Sequence, residues 1–168
     1  QDMEHLHAVR ADLHRKHEIQ DEGFVLVPLQ IHKDTQILYN TPYRTMTEFV
    51  SHIARFFPGT RVVVRPHPGG GSKPRVKGIE INSSGTFLEM AAGAAAVGGL
   101  TSTCLYEAAI LGKPVLALGD HALRAHAPSE HDRVCAGALQ LRVSRSGTRL
   151  APIFERFGVR PLGCNPLG

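Results

Sequence analysis

The sequence has few residues that could stack on nucleic-acid bases or cross-link the chain. Trp is absent and aromatic residues make up 6% of the 168 residues, so stacking platforms for single-stranded nucleic acid are scarce. Its three cysteines, Cys104, Cys135 and Cys164, are widely spaced and odd in number. They indicate neither a disulfide framework nor a zinc ribbon, and they favour a reducing compartment. The net charge of +4 favours anionic partners but is too small to indicate nucleic-acid binding.

Long hydrophobic runs are also missing. The longest weakly polar stretch, residues 90–100, is rich in Ala and Gly and too short to span a membrane. Hydrophobic residues nevertheless make up 42% of the chain and charged residues 20%, which excludes a disordered or fibrous protein. A chain of this length can bury roughly 70% of the surface that it exposes when unfolded. We therefore expect one domain over residues 1–168, with a core that needs no metal or disulfide.

Short apolar runs alternate with segments of helical character along most of the chain. The predicted strands are residues 23–29, 61–65, 79–81, 94–97 and 115–118. The predicted helices are residues 2–16, a helix opened by Thr41-Pro42 and ended by Pro58-Gly59, residues 86–92 capped by Ser83 or Ser84, residues 101–111, and a closing helix over 150–157. Such alternation predicts parallel strands joined by helical crossovers, which is an α/β, Rossmann-like sheet flanked by helices.

Polar residues stand where the predicted strands end. They are Gln30 and Asp34 after the first strand, His67 after the second, Thr101, Ser102 and Thr103 after the Ala-rich strand, and Asp120 and His121 after the last. Ligands of such sheets bind beyond the carboxyl ends of the strands. We therefore expect these residues to share one edge of the domain.

The segment Arg65-Pro66-His67-Pro68, followed by three glycines, is the first candidate site. A His between two prolines has a restricted backbone and a directed ring. Its imidazole can donate to a phosphate oxygen, Arg65 adds positive charge, and the glycines allow close approach of a ligand. A tight turn with an exposed His explains the same pattern.

The segment from Gly98 to Thr103 is the second candidate site. A loop of small residues entering a helix presents backbone N–H groups at the positive end of the helix dipole, and Ser102 and Thr103 add hydroxyl donors. Plain helix capping by Thr101 or Ser102 is the more frequent explanation of such residues. The segment matches neither the P-loop nor the dinucleotide fingerprint.

Two carboxylates and a group of histidines complete the candidates. Asp34 could act as nucleophile or base, although a solvated loop Asp is the simpler interpretation. Glu107, one helical turn after Thr103, could bind a ribose hydroxyl or lie on the polar face of its helix. Four histidines near the start suggest a metal, but without a Cys or carboxylate cluster a solvated helix face is favoured; they are His5, His7, His14 and His17. We predict no metal site.

In combination, these motifs resemble the bacterial capsule polysaccharide biosynthesis family. The resemblance runs in order from about residue 24 to 119. It rests on residues 24–30 followed by Asp34, on Val64-Arg65-Pro66-His67-Pro68, and on Thr101-Ser102-Thr103 followed by Glu107 and Gly112-Lys113-Pro114-Val115. Characterised members of that family are β-Kdo glycosyltransferases that use CMP-Kdo. The His-Pro pair and the hydroxyl-rich helix start are also similar to bacterial sialyltransferases, which use CMP-sialic acid.

The resemblance implies a GT-B architecture, with this chain as the carboxy-terminal, nucleotide-binding half of a larger two-domain enzyme. The amino-terminal, acceptor-binding domain would then be missing. The implied partners are the donor CMP-Kdo and a glycan or glycolipid acceptor, with no metal cofactor and no nucleic acid. The implied location is the cytoplasm, where the enzyme could work at the inner face of the cytoplasmic membrane.

The resemblance also implies roles for individual residues. Asp34 matches the proposed nucleophile of retaining β-Kdo transfer. The residues that it implies for nucleotide binding are His67, Pro68, Thr101, Ser102, Thr103 and Glu107. Gln30 and Arg65 are implied as supporting residues. Another GT-B enzyme, sialyltransferase-like or dependent on a UDP-sugar, and a non-catalytic nucleotide- or phosphate-binding module both stay open as alternatives.

Overall fold

The computed structural model describes residues 2–31, 41–71 and 73–143, and a five-stranded parallel sheet organises them. The strands are β1 (Phe24–Pro28), β2 (Arg61–Arg65), β3 (Ile79–Ile81), β4 (Ala96–Gly99) and β5 (Val115–Ala117). Their order is β3-β2-β1-β4-β5, and every neighbouring pair is parallel. Central Leu26 pairs with Val63 on one side and Val97 on the other. This arrangement is Rossmann-like and confirms the predicted α/β class.

Helices cover both faces of this sheet. They are α1 (Asp2–Lys16), α2 (Met46–Phe56), α3 (Phe87–Gly93), α4 (Cys104–Leu111) and α5 (His131–Val143), with two 3-10 turns at Ala122–Arg124 and Pro128–Glu130. Side chains of a strand alternate between faces, so β1 serves two cores. Val25 and Val27 pack with the apolar stripe of α2, while Phe24 and Leu26 pack on the side of the other helices. None of the helices among the described residues is long and apolar enough to cross a bilayer.

Side chains of the amino-terminal helix α1 bind backbone carbonyls at the carboxyl end of α4. Arg10 donates from Nε to the Ile110 carbonyl at 2.7 Å and from Nη2 to the Ala109 carbonyl at 3.1 Å. His14 Nε2 lies 2.8 Å from the Leu111 carbonyl. These side chains satisfy carbonyls that a helix end leaves without intrahelical partners. His14 is thus engaged with α4, where a solvated helix face was expected.

Two predicted helix starts are wrong, for the same reason. Thr45, not Thr41, caps α2, because its Oγ1 accepts from Glu48 N at 3.1 Å. Thr86, not Ser83 or Ser84, caps α3 through a reciprocal bond pair with Glu89. A Thr with Glu three residues later satisfies two backbone donors at once, so it outcompetes an isolated hydroxyl.

Other boundaries shift by small amounts. The fourth strand was expected at 94–97 and lies at Ala96–Gly99. The helix His131–Val143 was not predicted. The closing helix expected over 150–157 lies outside the described residues.

Candidate functional site

The carboxyl ends of β1 and β4 are tied together by Gln30 and Thr101. Gln30 Nε2 donates to Thr101 Oγ1 at 3.0 Å, and Gln30 Oε1 accepts from the Thr101 backbone N–H at 3.0 Å. The backbone N–H can only donate, so this pair fixes which way the amide of Gln30 faces. The sequence prediction that both residues share one edge of the sheet is correct, and Gln30 positions the entry into α4.

His67 lies on a tight turn just beyond β2. Its carbonyl accepts from Gly70 N at 3.0 Å, and its Nδ1 accepts from Gly69 N at 2.9 Å. A Cβ at position 69 would lie 3.0 Å from that Nδ1, and Gly70 has a φ of +88°, so both positions favour glycine. Because Nδ1 accepts, the neutral ring carries its proton on Nε2, and that group is the donor available to a ligand.

A cavity of about 170 Å³ brings His67 and Gln30 together. Lys73 also lines it, as do Leu29, Pro66, Gly70 and Gly71. The pocket therefore combines an imidazole, an amide and an ammonium group beside a glycine-lined backbone. Lys73 was not predicted as a site residue, although a basic residue just after a glycine loop is a signal that could have suggested it.

The first turn of α4 borders the same sheet edge. Ser102 Oγ accepts from Cys104 N at 3.2 Å, so the Ser102 hydroxyl helps to cap the helix. Thr103 is the N-cap by position, is exposed, and makes no capping bond with its side chain. Glu107 lies in the same first turn, half-buried. The turn thus supplies one engaged and one exposed hydroxyl at the positive end of the helix dipole.

Burial keeps the Cys104 thiol in this turn uncharged. Burial raises the pKa of the Cys104 thiol, the bond with Ser102 opposes this rise, and the nearby Glu107 carboxylate adds to it. The thiol is therefore protonated at neutral pH and brings no negative charge to the helix start. An anion approaching Thr103 meets no thiolate there.

Arg65 does not line the cavity. Its guanidinium donates to the Ser84 carbonyl at 3.0 Å and to the Gly85 carbonyl at 2.8 Å, and it contacts Met90. It lies on the sheet face opposite α2, because Arg65 alternates with Val64, which packs with the stripe of α2. The structure gives this residue a structural contact with the loop before α3, where the sequence had suggested a cation beside the ligand.

Asp34 belongs to residues 32–40, which lie outside the described residues. Pro68 follows His67 in the tight turn and is exposed. In the part of the chain that the structure describes, no three His, Cys, Asp or Glu side chains group closely enough to hold a metal ion.

His121 follows β5, where it was expected at the shared edge of the sheet but was assigned no role. It is 8% exposed, and its ring packs against that of Tyr106 in the first turn of α4, with 4.5 Å between centroids and an interplanar angle of 42°. The rule that ligands meet the carboxyl ends of strands could have singled it out.

Comparisons with known proteins agree with this architecture. Residues 2–125 match the model of the family described as capsule polysaccharide biosynthesis protein. Protein FixF of Sinorhizobium fredii (strain NBRC 101917 / NGR234) is 32% identical over 107 residues, which is 58% of this chain and 27% of that protein.

A solved structure is similar as well. It is that of Thermosulfurimonas dismutans KpsC, a beta Kdo 2,7 transferase, with 28% identity and a TM-score of 0.59. The match covers 71% of this chain and 42% of that one, so the chain spans less than half the length of either relative. Because the family match extends over most of the sequence and over every strand of the sheet, the chain belongs to the capsule polysaccharide biosynthesis family.

Proposed function

We propose that this chain is the nucleotide-sugar-binding half of a retaining β-Kdo glycosyltransferase that uses CMP-Kdo. The observation that carries the proposal is the grouping of His67, Gln30 and Lys73 in one cavity, with Gln30 bonded to Thr101 on the loop that leads into α4. Donors and cations on two adjoining loops suit a phosphate. The similarity to a beta Kdo 2,7 transferase supports Kdo as the sugar.

In this proposal the CMP phosphate lies between His67 and the turn at Ser102 and Thr103. Negative charge grows on that phosphate as its bond to the sugar breaks. A donating imidazole, the Lys73 ammonium and the helix dipole stabilise the charge where it develops, which accelerates the reaction. In the same proposal, Pro68 keeps the His67 turn rigid and Glu107 binds a ribose hydroxyl.

Asp34 is proposed as the nucleophile. Its carboxylate oxygen attacks the anomeric carbon of Kdo, the carbon–oxygen bond to phosphate breaks, and CMP leaves with the electron pair. An acceptor hydroxyl then attacks the same carbon and gives its proton to solvent, and the bond to Asp34 breaks with its electron pair to restore the carboxylate. Two displacements at one carbon retain its configuration.

The proposal includes a second half, which binds the glycan or glycolipid acceptor, and a GT-B arrangement of the two halves. The chain spans 42% of the solved relative, which leaves room for such a domain in a longer protein. We also propose a cytoplasmic location, because three widely spaced cysteines suit a reducing compartment. Within the cytoplasm, the proposal has the enzyme act at the inner face of the cytoplasmic membrane.

Thermal unfolding tests which nucleotide the chain binds. Thermal unfolding of the chain should shift upward with CMP and much less with UMP or phosphate alone, because a bound ligand stabilises the folded state. A larger shift with UDP than with CMP would favour a UDP-sugar enzyme. Transfer from CMP-sialic acid in preference to CMP-Kdo would favour a sialyltransferase-like enzyme.

The chemical step is tested in the full-length protein. Asp34→Ala and Asp34→Asn should both abolish transfer while leaving CMP affinity within about two-fold, because the carboxylate acts on the sugar and not on the nucleotide. Mass spectrometry with CMP-Kdo should show a Kdo adduct on the peptide that carries Asp34. Substantial transfer by Asp34→Ala would show that Asp34 is not the nucleophile. CMP binding with no transfer by the intact protein would favour a non-catalytic nucleotide-binding module.

A further inference from the structure

A second, larger groove lies along the exposed side of α2, apart from the cavity beside His67. Its volume is about 610 Å³, which is within the range of small-molecule sites, roughly 300–1,000 Å³. One wall contains Thr47, Ser51 and Arg55, which follow each other at intervals of four residues and so share one helix face. The other wall is the segment Val76-Lys77, which precedes β3. We call this feature the α2 groove.

The two walls of the α2 groove are joined by contacts within the fold. Thr47 Oγ1 accepts from the Arg75 backbone N–H at 3.1 Å, which ties the second wall to the first turn of α2. Half-buried Val76 packs against the core to which Val50 and Ile53 of α2 belong. The groove is therefore formed before any ligand binds, and a ligand would lose little binding energy to ordering its walls.

Tyr43 and His52 form a hydrogen-bonded pair inside the groove. Tyr43 Oη lies 2.6 Å from His52 Nδ1. The Tyr43 ring also makes edge contacts with the rings of Phe49 and His52, at 5.5 and 5.6 Å between centroids. Burial raises the pKa of Tyr43, and the nearby Arg124 and Arg55 oppose this rise. The hydroxyl is therefore protonated at neutral pH and is held in place by two rings.

The groove contains two cations that are available to an anion. In the part of the chain that the structure describes, neither Arg55 nor Lys77 forms an ion pair. Arg55 Nε donates to the Ser51 carbonyl at 3.3 Å, which leaves its other N–H groups for a ligand. The carboxylate of Glu48, which also lines the groove, accepts from Arg44 N at 2.9 Å and is thus used at the helix start.

These groups match the chemistry of an acidic saccharide. Hydroxyl and imidazole groups can exchange hydrogen bonds with the hydroxyls of a sugar, and Tyr43, Ser51 and His52 supply them. A guanidinium and an ammonium group pair with carboxylates, and Arg55 and Lys77 supply those. The combination of cations with several hydroxyl-binding groups in one concave site favours an acidic glycan over a simple anion.

The α2 groove is also close to the cavity along the chain. Lys73 lines the cavity beside His67, and Val76, three residues later, lines the groove. Three residues span at most about 11 Å. A glycan whose end lies at the cavity could therefore extend into the groove.

We propose that the α2 groove binds an acidic glycan. Arg55 and Lys77 pair with its carboxylates, while Tyr43, Ser51 and His52 bond to its hydroxyls. The inference rests on the proposed function for the identity of the sugar, because transfer of Kdo adds a unit that carries a carboxylate. The groove holds the glycan away from its reacting end, and its side chains take no part in the chemical step.

The probe is a β-linked Kdo trisaccharide, and the control ligand is the same trisaccharide with its carboxylates reduced to alcohols. Two-dimensional NMR of the 168-residue chain locates the binding. The amide signals of Ser51, Arg55 and Lys77 should shift with the trisaccharide and much less with the reduced control. Added salt should weaken the binding, because it screens charges at an exposed site.

Substitutions in the groove test the two cations. Arg55→Gln and Lys77→Gln should each weaken trisaccharide binding about two- to five-fold, the effect of one exposed ion pair, and should leave CMP affinity unchanged. Arg133→Gln is the matched control, because it removes an exposed cation from α5, which packs on the other face of the sheet. It should bind the trisaccharide as wild type does. Melting temperatures of the three variants show whether they remain folded.

The outcomes separate this inference from the proposed function. CMP binding without trisaccharide binding overturns the inference alone, and so does trisaccharide binding that shifts only amides around His67 or is unchanged in the variant that lacks both cations. Binding to phosphatidylglycerol vesicles through Arg55 and Lys77, with no binding of the trisaccharide, would identify a membrane-contact surface and also overturn it. Trisaccharide binding in the groove without CMP binding would support the inference while the proposed function fails.

Discussion

Replacing Gln30 by Glu tests whether the cavity beside His67 binds an anion. The substitution keeps the shape of the side chain. A carboxylate can still accept from the Thr101 N–H and from the Thr101 hydroxyl, so the two bonds that tie β1 to β4 are largely kept. The main change is one negative charge in a cavity that also contains His67 and Lys73.

The expected loss of affinity follows from Coulomb's law. A phosphate held about 6 Å from the new carboxylate at an effective dielectric constant of about 20 would be destabilised by roughly 2–3 kcal/mol per unit charge. CMP should therefore bind roughly 30- to 150-fold more weakly to Gln30→Glu. Added salt should reduce the difference between variant and wild type, because the screening length shortens.

Gln30→Met is the matched control, because it keeps the length and loses both hydrogen bonds to Thr101. Its free energy of unfolding should fall by about 1–3 kcal/mol, since the Thr101 N–H loses its acceptor. Calorimetric CMP titrations and chemical denaturation of both variants give the comparison. If Gln30→Glu bound CMP as tightly as wild type at low salt, the cavity would not be the phosphate site.

Three further results are expected. His67→Ala should weaken CMP binding by about 1.5–3 kcal/mol in calorimetry, because a charge-assisted hydrogen bond is lost, and an unchanged dissociation constant would remove His67 from the site. Gly98→Ala should destabilise the fold by about 1–3 kcal/mol in denaturation, since its Cβ would lie 2.8 Å from Ile53 Cδ1; Gly137→Ala, with open space around it, should not. Asp132→Asn should lower stability at pH 7: the bond from Arg10 lowers the pKa of Asp132, so the stabilisation is complete above its unfolded pKa of about 4 and disappears as the pH falls below that value. An equal deficit at pH 3 would contradict that assignment.

Strands were easier to predict than helix starts because their signal is burial. Residues 24–28 are buried without exception, and a strand covered on both faces is a continuous apolar run in the sequence. Helix starts depend on which of several hydroxyls finds a partner. Ser84 illustrates this, because its N–H and its Oγ both donate to Asn82 Oδ1 in a local turn, which leaves Thr86 to cap α3.

The helix α5 escaped prediction because long-range contacts support it. Its apolar pattern is weak, and up to residue 139, where burial is described, the residues that it buries are the small Cys135 and Ala136. The ion pair of Asp132 with Arg10, at 2.6 Å, joins it to a helix more than a hundred residues earlier. No local pattern contains that information.

Some residues of the candidate site could also be placed from the sequence, and others could not. Gln30, His67 and Thr101 could be placed at one edge because parallel strands bring their carboxyl ends together. The direction of a long side chain cannot be derived from that rule, and Arg65 points to the loop before α3. The same rule placed His121 after the last strand, but its burial became known only from the structure.

Both ends of α4 are anchored by side chains from elsewhere in the chain. Gln30 fixes the residue at its entry, and Arg10 and His14 fix the carbonyls at its exit, about 12 Å away for eight residues. A helix anchored in this way is preorganised, so a ligand at its start loses little binding energy to ordering entropy. If CMP binds there as proposed, residues of α1 contribute to its affinity at a distance, and shortening α1 should weaken CMP binding while leaving every proposed contact with CMP in place.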